Sequence, residues 1–221
     1  MNILEKIKFL LRKPKVIIVT GEGRVGAKEA ILLVLKQHFK INDEILIFET
    51  DFSKHNQIKE FYFLIKNSSL PVLVVTQVGD ISPEKDFFAG EKEKTIEIRK
   101  LAKLLPTYSY LILNFDDETV REIKDETNLN EITFGFGQRA DFRASDIKLN
   151  SGTNFKLNFE GKVVPIWLEK LFGKEQIYSA LAACAVGTIF GLNLIKISQA
   201  LKDYHPGQEN LGIASGKNLS I

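Results

Sequence analysis

Apolar residues in the first half of the chain fall into short continuous runs, and stretches of helical spacing lie between them. Val16-Ile-Ile-Val-Thr20 is β-branched and ends at Gly21. From there to about Phe39 the apolar positions Ile31, Leu32, Leu35 and Phe39 recur at helical intervals. Ile45-Leu-Ile-Phe48, Val72-Leu-Val-Val-Thr76 and Tyr110-Leu-Ile-Leu-Asn114 repeat the continuous type, separated by the helical stretches Gln57 to Lys66 and Glu91 to Leu105. A strand that is apolar at consecutive positions must meet protein on both faces, as strands of a parallel sheet between helices do. The alternation of strand and helix therefore predicts an α/β fold with a mostly parallel sheet flanked by helices.

Beyond Asp117 the texture changes. Ile132 to Phe134, Phe142 to Leu149, Asn154 to Phe159 and Val163 to Leu168 read as short strands joined by the turns Asn150-Ser-Gly152 and Glu160-Gly161, and they predict a small antiparallel sheet appended to the first. Two helices follow, an alanine-rich one from Gln176 to Phe190 and another from Leu194 to Tyr204, divided by Gly191 and closed before Pro206.

The first fourteen residues form a unit of their own. Ile3, Leu4, Ile7, Leu10 and Leu11 share one helical face, and Lys6, Lys8, Arg12 and Lys13 occupy the rest. The expected arrangement is a short amphipathic helix packed against its own domain; peripheral contact of residues 1–14 with a membrane is the alternative. Composition narrows the picture further. With 221 residues, 44% of them hydrophobic, the chain suits one medium domain with one sizeable core. Its 30 basic and 28 acidic side chains leave a net charge of +2, which gives no electrostatic footprint for nucleic acid. No apolar run approaches the roughly 18 residues of a membrane span, and no signal-peptide pattern precedes the first strand, so a cytoplasmic location is expected. Cys184 sits in an apolar run and reads as a small buried hydrophobe. His38, His55 and His205 are too scattered for a metal cluster, Trp167 reads as core, and Glu91-Lys-Glu-Lys94 as a solvated helix start.

The candidate chemistry lies in Gly21-Glu-Gly-Arg-Val-Gly26, between the first strand and its helix. Glycines let backbone amides approach phosphate, and a helix N-terminus favours negative charge. A productive P-loop also needs a lysine for the outer phosphates and a Ser or Thr hydroxyl for magnesium. Arg24 and Val25 stand there instead, and Glu22 adds a negative charge. Alone, the pattern fits an ordinary tight turn as well as a phosphate site.

Several segments read together narrow this choice. Ile18-Val-Thr-Gly21, Val75-Thr-Gln-Val-Gly79, Asp86-Phe-Phe-Ala-Gly90, Ile112 to Asp117, Ile132-Thr-Phe-Gly135, Ala140 to Asp146 and Tyr178 to Gly187 occur in the order and spacing of the landmarks of the Mur ligase central domain. The chain resembles that domain from Lys15 to Gly207, and within the family it is most similar to the branch that adds D-alanyl-D-alanine to UDP-N-acetylmuramoyl-tripeptide. The resemblance implies a P-loop-type fold over residues 15–207, with residues 208–221 a truncated link toward an absent C-terminal domain. It implies ATP and magnesium as cofactors and a reaction in which ATP phosphorylates a carboxylate and an amine then attacks the acyl phosphate.

Carried over position by position, the resemblance makes Gly21, Gly23, Arg24 and Val25 the phosphate turn, Glu49 a magnesium ligand, and Asn114 and Asp117 adenosine contacts. The residues themselves equally allow a strand-end acid at Glu49 and a turn and a cap at Asn114 and Asp117. Other positions depart from the family. Glu84 stands for a metal-binding histidine, and Ile98 for the lysine that becomes carbamylated, with Lys100 the candidate in a shifted register. Glu175 and Gln176 stand for a His-Asn pair and Gln208 for an arginine; the loop and flanking domains that hold the family's substrates have no match. These departures imply a degenerate relative in peptidoglycan synthesis, catalytically silent by itself, whose partner is a UDP-muramoyl-peptide or another cell-wall protein. The alternatives are the ATP-binding portion of a split or truncated ligase, and a scaffold held at the inner membrane surface by residues 1–14.

Overall fold

The computed structural model describes residues 3–52, 57–78, 89–124 and 126–207. The helix α1 (Ile3–Arg12) leads into β1 (Lys15–Thr20), α2 (Arg24–Leu35), β2 (Ile45–Thr50), α3 (Gln57–Asn67), β3 (Pro71–Val75), α4 (Ala89–Leu104) and β4 (Tyr110–Asn114). Then come α5 (Glu118–Lys124), β5 (Asn130–Gly135), β6 (Phe142–Leu149), β7 (Gly152–Phe159), β8 (Lys162–Glu169), α6 (Lys174–Ile189) and α7 (Leu194–Leu201). All the strands form one sheet in the order β2-β1-β3-β4-β5-β6-β7-β8. Pairing is parallel from β2 through β6 and antiparallel across β6, β7 and β8.

The continuous apolar strands are explained by the two cores they separate. In β1, Ile17 and Val19 point into a core shared with α2, α6 and α7, whereas Val16 and Ile18 point into one shared with α3, α4 and α5. β3 divides in the same way, with Val72 and Val74 on the first side and Leu73 and Val75 on the second. Both faces are thus removed from water, which leaves no position in these strands for a polar alternation. The alanine-rich segment of α6 has a related cause. Ala180 through Val186 are fully buried, and small side chains let the helix lie close to both the sheet and α2. At Gly187 a Cβ would come within 2.8 Å of Ile197 Cδ1 and 3.1 Å of Val34 Cγ1, so the absence of a side chain sets how closely α2, α6 and α7 meet. Cys184 lies in this core, and burial pushes its thiol well above the usual range.

Four features differ from the sequence reading. The antiparallel strands extend the parallel sheet instead of forming a second one, and the segment at Ile132 to Phe134 is a parallel strand of that sheet. The short helix α5 follows Asp117, where the apolar pattern is too brief to show it. Trp167 is 47% exposed on β8, because that strand is covered on one face only: Ile166 and Leu168 are buried while Val163 and Trp167 face outward. The apolar face of α1 is also exposed, and the helix is held by Phe9 instead. Among the described residues no helix is long and apolar enough to cross a bilayer.

Leu181→Ala, in the fully buried stretch of α6, should lower stability by about 2–5 kcal/mol through the cavity it leaves. Leu149→Ala at the exposed end of β6 should stay within about 0.5 kcal/mol of the parent. Urea unfolding of the two variants checks both figures, and comparable losses would contradict this placement of the core.

Candidate functional site

The strand order reverses at β1, with β2 on one side and β3 on the other. In open α/β sheets such a reversal opens a crevice at the carboxyl ends of the strands, where the following loops part to opposite faces. Gly21 to Gly23 turn there between β1 and α2. Gly21 has φ 100° and Gly23, the cap of α2, φ 73°, both in the region that favours glycine. Gly21 is also needed for space, because a Cβ would lie 2.6 Å from the Gln77 carbonyl oxygen and 2.7 Å from Thr76 Oγ1. The Glu22 amide donates to Gln77 O, and the Thr76 hydroxyl faces both Thr20 O, at 2.9 Å, and Glu22 O. The turn is therefore fastened to the segment that leaves β3. The α2 terminus has no side-chain cap, and Val25 beside it is half exposed and offers no oxygen to a metal.

The charged groups of this edge face one another across α2 and β2. Arg24 lies 3.4 Å from Asp51 Oδ2 and 3.4 Å from the Gly21 carbonyl oxygen, and Lys28 Nζ lies 3.5 Å from Glu49 Oε2. Arg24 and Lys28 are one helical turn apart, which puts both cations on one face of α2. Glu49 and Asp51, two residues apart at the end of β2, receive them. Lys28 was not among the residues singled out from the sequence, since only the packing of α2 beside β2 reveals its partner.

A second cluster closes the edge at the end of β4. Asn114 is buried, and its Oδ1 accepts from the Asp116 amide at 3.0 Å, which shapes the turn. Asp117 accepts from Val120 N at 3.0 Å as the cap of α5 and from Val78 N at 2.8 Å, so the segment 76–78 is tied to both the glycine turn and β4. Asp116 gathers the Phe136 amide at 2.6 Å, the Gly137 amide at 3.0 Å and the Tyr178 hydroxyl at 3.1 Å. A Cβ at Gly135 would sit 2.7 Å from its Oδ2. Burial, together with the negative charge of Asp116, raises Tyr178 well above the ordinary tyrosine range. Asp116 and Tyr178 stand within segments read as landmarks, but nothing in the sequence shows that they meet.

The start of α6 borders the same cluster. Glu175 is exposed in its first turn, and the Oε1 of Gln176 is buried without a hydrogen-bond partner among the described residues. A buried unpartnered acceptor costs free energy unless a donor reaches it. Further along α6, a Cβ at Gly26 would lie 3.1 Å from Ser179 Oγ and 2.9 Å from the Tyr204 hydroxyl, which itself donates to Gly26 O at 3.1 Å. The glycine turn, the end of β2, the end of β4 and the start of α6 thus share one edge of the sheet. Ile98 does not join them: it is 2% exposed in the core beneath α4, where its apolar side chain belongs. Lys100 is exposed and pairs with Glu97 at 2.7 Å. Glu84 and Gln208 lie outside the described residues. Among the described residues no three of His, Cys, Asp and Glu converge on a metal-sized site.

Comparison with known proteins gives this edge a context. The profile of the Mur ligase middle domain matches residues 28–187. A UDP-N-acetylmuramate–L-alanine ligase of Hydrogenobaculum sp. is 30% identical over 180 residues, which is 80% of this chain and 37% of the ligase. The crystal structure I of MurF from Acinetobacter baumannii superposes with a TM-score of 0.76 at 16% identity, over 93% of this chain and 49% of that one. MurF of Thermotoga maritima in complex with ADP gives 0.69 at 16% identity, over 88% and 50%. The chain spans no more than half the length of any of these three proteins, and at such identities the structural likeness establishes the fold.

The Tyr204 contact makes stability depend on pH in the alkaline range. Burial pushes its hydroxyl from 10.0 up to about 12, with Ser179 opposing and the charge of Glu29 adding to the rise. The folded protein therefore holds this proton after the unfolded chain has lost it. Its stabilising share is complete below pH 10 and disappears as the pH climbs through about 12. Tyr204→Phe should lose less stability than the parent between those two values, as followed by urea unfolding, and parallel curves would count against a buried, protonated Tyr204.

Proposed function

The chain belongs to the Mur ligase family through its middle domain, and from that membership we propose a nucleotide-fold protein of peptidoglycan-precursor synthesis that forms no amide by itself. The observation that carries this reading is the pairing of Lys28 with Glu49 beside that of Arg24 with Asp51. A magnesium ion brought to Glu49 would meet the Lys28 ammonium at close range, and like charges repel most strongly where solvent is partly excluded. Val25 supplies no hydroxyl to share the ion, and Ile98 cannot carry a carbamate. The residues present at this edge do not fit magnesium.

They fit the remainder of a nucleotide better. Arg24 keeps a positive charge where the family places its phosphate lysine. The orphaned Gln176 Oε1 is an acceptor suited to an amino group such as that of adenine. Nucleotide binding through Arg24 and Gln176, without the metal, follows from this. The substrate class in our reading is a UDP-muramoyl-peptide of the D-alanyl-D-alanine-adding branch, which rests on the sequence resemblance alone, whereas the Hydrogenobaculum relative bears the name of the L-alanine-adding branch.

Titration calorimetry should give the same ATP affinity in magnesium as in EDTA, with Gln176→Leu weakening it about tenfold, the worth of one hydrogen bond. Assays with UDP-N-acetylmuramoyl-tripeptide plus D-alanyl-D-alanine, and with UDP-N-acetylmuramate plus L-alanine, should give no amide. Each lost electrostatic group costs about a hundred- to a thousandfold in rate. Magnesium-dependent turnover in either assay would overturn the reading, and the pair that reacts would identify the branch. A second reading, the ATP-binding portion of a ligase completed by other domains, is favoured by the share of its relatives that the chain spans. Amide formation only after the other domains of a related ligase are added would select it.

A further inference from the structure

The helix α1 presents its apolar stripe to solvent and grips the domain with its other side. Ile3, Leu4, Ile7, Leu10 and Leu11 are 78%, 70%, 48%, 41% and 80% exposed, whereas Phe9 is 5% exposed. The Phe9 ring meets Phe63 of α3 at 5.7 Å, and Lys6 Nζ lies 5.4 Å from the centre of the Phe63 ring. Arg12 pairs with Asp43, and the chain beyond the helix is fastened where the Ser68 hydroxyl donates to Pro14 O at 2.9 Å. These attachments fix the roll of the helix, so the stripe cannot turn inward without breaking them. A contiguous exposed apolar face of this kind marks an interaction surface.

Its borders indicate the occupant. At about 100° per residue the stripe runs from Leu10 to Leu4, with Lys6 and Lys8 each about 40° beyond an edge and the lone acid, Glu5, on the far side. Two such faces brought together would set lysine against lysine, which opposes self-association. An anionic lipid surface instead takes the apolar side chains between its headgroups while long lysine stems reach its phosphates. The ten residues of α1 measure about 15 Å, half the thickness of a bilayer core, which suits a helix lying flat and not one that crosses. We propose that α1 is an interfacial anchor that seats Ile3, Leu4, Ile7, Leu10 and Leu11 in an anionic bilayer surface, with Lys8 on lipid phosphates and Lys6 keeping its place at the Phe63 ring.

The test is co-sedimentation of the full chain with vesicles of phosphatidylglycerol and phosphatidylcholine in equal parts, and with phosphatidylcholine alone. The chain should pellet with the mixed vesicles, more weakly with the neutral ones, and less as salt is raised. An Ile7→Glu, Leu11→Glu double variant should lose about tenfold or more in partitioning, whereas Ile195→Glu, an exposed apolar residue on α7, should lose none. Both positions in the double variant are exposed, so an unchanged unfolding temperature verifies the fold. Failure to pellet, or equal pelleting of the double variant, overturns the proposal. So does a concentration-dependent dimer abolished by the double variant without vesicle binding, which would give the stripe to a second copy.

Discussion

A Cβ on residue 21 would collide with the backbone of Gln77 and the hydroxyl of Thr76, and the rest of the C-terminal edge is arranged around that close approach. Because the chain can leave β1 this near to β3, the Glu22 amide and the Thr76 hydroxyl lock the two exits together. The start of α2 is placed by that lock, and with it the positions of Arg24 and Lys28. The other end of the same linking segment is held by Asp117 through the Val78 amide. Three strand ends are thus joined by a few hydrogen bonds, in a region where loops would otherwise be free to move.

Electrostatics follows from that placement. The carboxylates at the end of β2 would repel each other if left alone, and a bound divalent ion is one way to relieve them. The cations of α2 are another, and they need no ligand. Each pair is about a third exposed, so solvent screens it and its contribution to stability is modest. Their importance lies in charge balance at the site, since a carboxylate already facing an ammonium is a weaker metal ligand than a free one.

Much of the fold was legible because burial on both faces leaves a mark no other arrangement leaves. Consecutive apolar residues in β1, β3 and β4 announce a covered parallel sheet, and Gly21 announces its turn. Elsewhere the signal was local where the cause is distant. The pattern around Ile132 is equally good for a parallel or an antiparallel strand, and only its pairing with β4 decides. For α1 the periodicity gave the stripe but not the side that packs, because a single aromatic, Phe9, found a ring in α3 while five aliphatic residues found none. Ile98 stands where the resemblance places the family's lysine, and its apolar side chain fits the core where it lies. Asp116 with Tyr178, and Lys28 with Glu49, join residues far apart in sequence, and no period or motif encodes such meetings.

The two ends of the candidate site differ in whether their needs are met. At the β2 end, each carboxylate has a cation within reach, so the folded chain gains little from binding another. At the α6 end, Gln176 holds a buried acceptor with nothing to accept, and a donor arriving there recovers free energy that folding left unspent. The unmet acceptor at the start of α6 and the balanced charges at the end of β2 therefore lie on one edge of the sheet, and a neutral hydrogen donor would gain more at the first than a cation would at the second.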